Sequence, residues 1–597
     1  MKRYIVSILA FCSTVMMSAT ERSGKSLYDF ATEHQINEYS EPVDTAEVDK
    51  SGWKEHRKAL SFSWVSKDRH YRQFSAPLSD GCKDTTISVW RGERIGLEAL
   101  VASRKNIGQA KVSLSDFTDV QGRKLSIPGS EAKFMRYVWT NDVRACGYFD
   151  VDSIPAYTVA DMIDLPGTSV EIPANSVRPV WCSLEIPQDI APGHYNVRLV
   201  LHNADNDRKL AEIKLGIDVS ERTLPKAEDY AFYLDLWQQP YAVSRYYDVP
   251  AWSDEHFKYM EPYADYLARA GQKAVTTVLF YEPWGEQSND KFEPMVNTVR
   301  EADGTWSFDF SIFDRYVEFM AAHGVDKAID CFTMVPWEMS FRYIDRISGK
   351  YDFVRAATSS EEYKELWTDM LRALATHLRE KSWFEKAYIF MDERGLEQMM
   401  DALAVARAAV PDFKIGLAGV YHSELVNELD VYSLGRDSFF SEEELRHRRE
   451  RGFVSTKYTC CADPEPGQFS NNNPSDSAYL PVYATASGYD GYLHWSFMNW
   501  NDSPMTDTRW RMFGPGDTFF IYPDGRSSVR YERLLEGVQL SEKIRILRES
   551  MKAVGDGQGL MELENALIPV RKVGMSNIVP SSTIINELSS RISSLFR

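Results

Sequence analysis

Two adjacent acids, Asp392 and Glu393, end the apolar run AYIFM of residues 387–391. Carboxyl pairs hydrolyse glycosidic bonds: one protonates the leaving oxygen, the other acts as base or nucleophile from the opposite face, about 5 to 9.5 Å away. Neighbours in sequence meet that requirement only under a condition. Their Cα atoms lie about 3.8 Å apart and a regular strand points them to opposite faces, so both face one ligand only where the backbone turns at a strand end. By itself, an isolated Asp-Glu pair reads more readily as a surface loop or a helix start than as a catalytic site. The apolar strand leading into this one argues for chemistry.

That strand is the fourth of eight. Beyond residue 224, strand-like runs alternate with helical stretches: YAFYLDLW (230–237), AVTTVLFYEPW (274–284), KAIDCFTMVPW (327–337), KAYIFMDE (386–393), KIGLAGV (414–420), DVYSLG (430–435), VSTKYTCC (454–461) and GYLHWSFMNW (491–500). Helices are expected at 253–270, in FDFSIFDRYVEFMAAHG, and at 360–381, 395–409, 442–451 and 526–549, with a long Asn/Pro/Ser-rich loop before the eighth strand. Eight strands, most followed by a helix, predict a (β/α)8 TIM-like barrel. The helix at 442 carries Ser441 as N-cap, Glu444 to complete a capping box and Gly452 as stop. Its Arg446, Arg448, Arg449 and Arg451 therefore read as a solvated, dipole-matched helix end. Residues 50–224 read as short alternating segments between turn residues, such as VWCSLEIP and GHYNVRLVLHN, and predict a β-sandwich. The expected organisation is multidomain: a signal at 1–19, a lead-in at 20–49, an N-terminal β-sandwich at 50–224, a catalytic barrel at 225–555 and an undistinguished tail at 556–597.

A barrel of this kind works at the C-terminal ends of its strands. Those ends supply the expected substrate-binding residues Trp237, Tyr281, Trp337, Tyr458, His494, Trp495, Asn499 and Trp500. Barrel interiors favour branched aliphatics, whereas sugar rings stack their C–H faces on aromatic rings and offer hydroxyls to Asn, His and Asp. A carbohydrate site is therefore expected, with core packing as the plain alternative. Strand seven offers Tyr458 and no carboxylate, at the place where barrel glycosidases with a covalent intermediate commonly carry their nucleophile. This points to a nucleophile supplied by the substrate, a 2-acetamido group attacking its own anomeric carbon. Glu393 then acts as acid and later as base, Asp392 orients the acetamido N–H and stabilises the cationic intermediate, and Tyr458 bonds the acetamido oxygen. A covalent-nucleophile glycosidase using Glu282 or Glu338 as second carboxylate stays open, as does a non-catalytic glycan-binding protein.

Through KAYIFMDE, GYDGYLHWSFMNWN and GPGDTFFIYPDGRSSVRYERLLEGV, in that order, the chain resembles glycoside hydrolase family 123, the β-N-acetylgalactosaminidases, over about residues 50–550. The resemblance implies a β-sandwich followed by a barrel and hydrolysis of terminal β-linked N-acetylgalactosamine from glycans or glycolipids. It also implies retention through an oxazoline intermediate, with no metal and no cofactor. It places Asp392 at the acetamido-stabilising position and Glu393 at the acid/base position. The other site residues rest on the barrel reading alone. A β-N-acetylhexosaminidase of different sugar specificity is the near alternative, because no residue here declares the configuration at C4. The segment EGVQLSEKIR (536–545) departs from related sequences, which tend to be more acidic there.

The whole chain has 597 residues, with 68 Lys and Arg against 87 Asp and Glu for a net charge of −19, and is 44% hydrophobic. That composition excludes disorder as the main state, and the acidic balance excludes a phosphate-tracking nucleic-acid surface. The expected partner is a glycan with a terminal amino-sugar. Lys2 and Arg3, the apolar run Tyr4 to Met17 and the small exit residues Ser18 and Ala19 predict an export signal too short to span a bilayer. With no later transmembrane run, a periplasmic or secreted protein is expected. Phe11 is bulky where lipid-attachment signals want a small residue before the cysteine, which disfavours a lipid anchor at Cys12. Cys82, Cys146, Cys182, Cys331, Cys460 and Cys461 show no CxxC spacing and are expected as buried apolar side chains rather than a disulfide framework or a zinc site.

Overall fold

The computed structural model describes residues 40–78 and 80–595; the expected export signal and Cys12 lie outside them. The N-terminal domain is a β-sandwich. One sheet runs Leu60–Val65, Arg94–Ser103, Ser176–Glu185, Glu131–Asn141, Ala156–Ile163 in spatial order, and the other runs Asp84–Arg91, Lys209–Thr223, Gly193–Asn203, Gly108–Leu114, Val170–Ile172. Alternation along Gly193–Asn203 turns Tyr195, Val197, Leu199 and Leu201 inward against Phe62, Val101 and Val180 of the facing sheet. Ser176–Glu185 does not alternate, and all but Glu185 are buried. Its outer face is covered by the last barrel helix, Val529–Val554, where Trp181 packs on Val529.

That helix also joins the two domains through strand pairing and ion pairs. Ser527–Ser528, just ahead of it, pairs antiparallel with Ile163 and Met162 and so adds an edge to the sandwich sheet. Arg526 meets Asp164 at 2.9 Å, Arg530 meets Asp161 at 2.9 Å, Glu532 meets Arg94 at 3.0 Å and Arg533 meets Asp68 at 2.7 Å, all of them buried. The segment 536–545 belongs to the same surface: Gln539 accepts from the Arg94 N–H at 2.7 Å and Glu536 pairs with Lys67 at 2.6 Å.

The second domain is an eight-stranded parallel barrel. Its strands, numbered one to eight in chain order, are Tyr233–Leu236, Ala274–Val278, Ala328–Phe332, Ala387–Asp392, Lys414–Gly419, Val431–Leu434, Val454–Thr459 and Gly491–His494. Strands two to eight each pair with their sequence neighbour and strand eight returns to strand one, whereas strands one and two share no ladder. The seam between strands one and two is closed mainly by side chains. Gln238 Oε1 accepts from Thr276 N at 2.7 Å and Gln272 Oε1 from Leu236 N at 2.8 Å, standing in for ladder bonds.

Several expectations need correction. The stretch read as a long loop before strand eight contains the helix Ser475–Ala486, buried at every position. A helix buried all round shows no amphipathic period, and Pro481 inside it reads as a breaker. The loops after strands two and three carry an unexpected four-stranded sheet, Trp306–Asp309, Asn297–Arg300, Ser340–Asp345 and Tyr351–Arg355. The tail is structured as helices Gly557–Val573 and Ser581–Leu595, whose Leu563, Leu567, Ile584, Ile585 and Leu588 join the barrel's core cluster. The capping box of Ser441 and Glu444 forms as expected. Arg448 is not solvated: it is buried, donating to Leu429 O at 2.9 Å and Val454 O at 2.8 Å. The cysteines also differ, because Cys146 and Cys461 form a disulfide between the sandwich and the barrel, and Cys82 is exposed, while Cys182 and Cys331 are buried as expected.

Candidate active site

Asp392 is the last residue of strand four, and Glu393 follows it with φ 48°, in the left-handed region. A non-glycine residue pays about 1–3 kcal/mol for that conformation, which persists where surrounding contacts over-determine it. Here the contact is Glu393 N donating to Ala418 O of strand five at 2.7 Å. The turn reverses the strand alternation and brings both carboxylates to the barrel mouth. Glu282 after strand two (φ 54°) and Met339 after strand three (φ 44°) sit in the same backbone region, so strained turns ring this end of the barrel.

Below the pair lies an aromatic floor. Trp237 from strand one stacks on Trp284 with centroids 5.7 Å apart, and its edge meets Phe332 at 4.8 Å and Phe390 at 6.1 Å. Burial, then the like charge of Glu393, pushes the Asp392 carboxyl up to about 7; Arg394 and the approaching indole N–H groups of Trp337 and Trp284 oppose the rise. Trp284 Nε1 completes no hydrogen bond of its own. Arg394 holds Trp337 in place: its guanidinium lies 4.0 Å over that ring while its Nε donates to Asp392 O at 2.9 Å. Tyr458 reaches across from strand seven and donates to Glu393 Oε1 at 2.8 Å. Burial and the neighbouring carboxylate raise its hydroxyl far above the usual phenol range, so it stays a donor.

Under the floor, Asp235 and Asp330 face each other in the barrel interior. Burial pushes Asp235 up to about 7, and burial with the adjacent Asp235 raises Asp330 well above the carboxylate range. Asp235 Oδ2 accepts the Trp237 indole N–H at 3.1 Å, which fixes the floor ring.

The structure thus brings Asp392, Glu393, Trp237, Trp337 and Tyr458 together, and it places the other expected residues differently. His494 is fully buried, with ring nitrogens 3.1 Å from Thr459 O and 2.9 Å from Asp517 O, and burial lowers it to about 4. Trp500 is also fully buried and donates to Ile521 O at 2.9 Å. Both are spent on packing. Asn499 is buried and accepts from Asn289 N at 2.9 Å, tying the strand-eight loop to the strand-two loop. Tyr281 stacks under Arg342 at 4.0 Å, against the four-stranded sheet. Trp495 stays half-buried on the strand-eight side, its Nε1 held by Asp517 at 2.9 Å. Trp284 and Arg394 are the residues that sequence reasoning passed over. Their signal was adjacency, one ending the strand-two run and the other following Glu393.

Residues 237–547 match the profile of the glycoside hydrolase 123 catalytic domain, and residues 64–203 match that of the glycoside hydrolase 123 N-terminal domain. The chain belongs to glycoside hydrolase family 123. A solved structure of a family 123 glycoside hydrolase from Clostridium perfringens, described in terms of glycolipid glycan hydrolysis, is similar at 22% identity. It covers 90% of this chain and 98% of its own with a TM-score of 0.80. That likeness shows the same two-domain fold. A PapD-like domain of human CEP192 matches 31% of this chain and 98% of its own at 11% identity, but its TM-score of 0.13 carries no argument. No curated protein matches. As a family 123 member the chain is a glycosidase acting on a glycan. Among the described residues, no cluster of three or more His, Cys, Asp or Glu could hold a metal ion.

Proposed function

We propose that the chain is an exo-acting β-N-acetylgalactosaminidase that works by retaining, substrate-assisted catalysis. Glu393 protonates the glycosidic oxygen as the substrate's acetamido oxygen attacks C1, so that the C1–O bond to the leaving group breaks as the oxazoline ring closes. Asp392 receives the acetamido N–H and offsets the positive charge. Glu393, now ionised, deprotonates the water that reopens the ring. The observation that carries this reading is the composition of the mouth. Two carboxylates from one strand end stand there with Tyr458, not a third carboxylate, coming from strand seven onto Glu393 at 2.8 Å. In this structure the tyrosine hydroxyl is spent on Glu393 rather than left free for an acetamido oxygen.

Asp392 does this work as a carboxylate, and because burial and the like charge of Glu393 push it up to about 7, it is ionised mainly from neutral pH upward. Export from the cytoplasm is part of the same proposal. The disulfide Cys146–Cys461 supports it, because such bonds persist in oxidising compartments.

The deciding experiment compares aryl β-N-acetylgalactosaminide with aryl β-N-acetylglucosaminide, with and without an N-acetylgalactosamine thiazoline that mimics the cyclised intermediate. Preferred hydrolysis of the galactosaminide with inhibition by the thiazoline is the expected result. Hydrolysis without inhibition would sink the substrate-assisted mechanism, and preference for the glucosaminide would sink the sugar assignment.

A further inference from the structure

A segment of the sandwich lies across the barrel mouth. Residues 143–149, between sandwich strands Glu131–Asn141 and Ala156–Ile163, are fastened to three of the loops that form the C-terminal face of the barrel. The loop after strand seven holds them through the Cys146–Cys461 disulfide and the Arg144–Glu465 ion pair. The loop after strand eight pairs with them edge to edge, Gly147 N donating to Met512 O at 2.9 Å and Phe149 N to Arg511 O at 2.6 Å. The loop after strand two holds Tyr148, whose Oη donates to Glu286 Oε2 at 2.8 Å.

In the ring of strands, seven, eight, one and two are consecutive, and strand four, which bears Asp392 and Glu393, stands across from them. The arm therefore walls the mouth on the side facing the carboxylates. Tyr148 is 67% exposed although its hydroxyl is fixed, so its ring is presented to solvent in one orientation. An exposed aromatic ring held rigid at a rim has little ordering entropy left to lose when a ligand stacks on it.

We propose that this sandwich-borne arm forms the subsite for the leaving group, with Tyr148 stacking on the first sugar ring beyond the one cleaved. The inference rests on the exo-acting reading above. In a pocket that takes a terminal residue at its floor, the rest of the glycan leaves through the mouth, and rim groups touch that part. The floor is already supplied by Trp237 and Trp284, whereas Tyr148 stands at the outer edge beside the exposed Arg511 and Glu286. Cys146 and Cys461 act as positioning residues for the arm.

The test uses the full chain and two substrates sharing the same terminal β-linked amino-sugar: an oligosaccharide, and the glycosyl azide, whose leaving group carries no ring. Tyr148→Ala is expected to raise KM for the oligosaccharide about fivefold while leaving kcat for it, and kcat/KM for the azide, within about twofold. Tyr148→Trp keeps a ring and is expected to restore the oligosaccharide KM. The double variant Cys146→Ser/Cys461→Ser should reproduce the Tyr148→Ala pattern. An equal loss on both substrates, or no change on either, overturns the subsite while leaving the proposed activity standing. A wild-type chain that cleaves neither substrate overturns the exo-hydrolase reading and the subsite with it.

Discussion

Tyr458 donates its hydroxyl to Glu393 Oε1 across 2.8 Å, coupling the seventh barrel strand to the turn that ends the fourth. A typical intramolecular hydrogen bond is worth about 0.5–1.5 kcal/mol, and here it fixes the carboxyl group that, in the proposed mechanism, must find the glycosidic oxygen. Tyr458→Phe is expected to lower kcat by up to about tenfold, with near-UV circular dichroism unchanged because the ring stays packed. Steady-state kinetics on an aryl glycoside check it. Full activity in the variant would mean that the bond does not orient the acid/base.

The two carboxylates carry separable signatures. Glu393→Gln is expected to hurt most with poor leaving groups, since protonating that oxygen is its proposed task, and Asp392→Asn to slow every substrate irrespective of its leaving group. In the proposed mechanism Asp392 works ionised, and burial with the like charge of Glu393 pushes its carboxyl up to about 7, so kcat/KM should climb as pH rises through about 7. Asp392→Asn should erase that acidic limb along with most of the rate. A pH profile whose acidic limb survives in Asp392→Asn assigns it to another group.

The interior pair predicts an unusual dependence of stability on pH. Asp235 and Asp330 hold their protons in the fold far above the value of about 3.9 that an unfolded chain would give them. Groups raised in this sense stabilise fully below the unfolded pKa, and their contribution is lost as pH rises through the folded one. The folded state should therefore weaken from about pH 4 to beyond pH 7, by on the order of 1 kcal/mol per pH unit for each group. Asp330→Asn, with no proton to lose, is expected to flatten that slope and to melt above the wild type at pH 9. Parallel melting curves across pH would show that the pair is not neutral in the fold.

Thiol chemistry separates the cysteines. Without reductant, iodoacetamide is expected to label exposed Cys82 and to spare buried Cys182 and Cys331. Cys460 should also resist, because burial and nearby Asp463 raise its thiol well above the ordinary range. Peptide mapping should recover Cys146 and Cys461 as a linked pair; free thiols at both would contradict the bridge.

Much of this architecture was legible because the sequence repeats its signal. Most barrel strands are short runs rich in apolar residues, and the Ser441–Glu444 capping box announces its helix in four residues. Where patterning fails, burial is symmetric: Ser475–Ala486 is covered on all sides and has no polar face to set a period. The candidate site stood out at its centre because an acid pair closing an apolar strand is uncommon, and the structure sets Asp392 and Glu393 at the turn that ends strand four. The site was less legible at its edges. His494, Asn499 and Trp500 share the chemistry of sugar ligands, but only coordinates show that Thr459, Asp517, Ile521 and Asn289 already occupy their polar atoms. Nor does spacing reveal that Cys146 and Cys461, 315 residues apart, meet.

The charged face of the helix Val529–Val554 binds the two domains to a common history. Arg530 and Arg533 find their counter-charges on Asp161 and Asp68, and Glu532 finds its own on Arg94. Losing one member of such a buried pair strands the other at a cost of about 3–5 kcal/mol. Exchange of the sandwich for that of a distant relative should then fail unless the matching helix travels with it. In an alignment of relatives these positions should change in pairs or not at all.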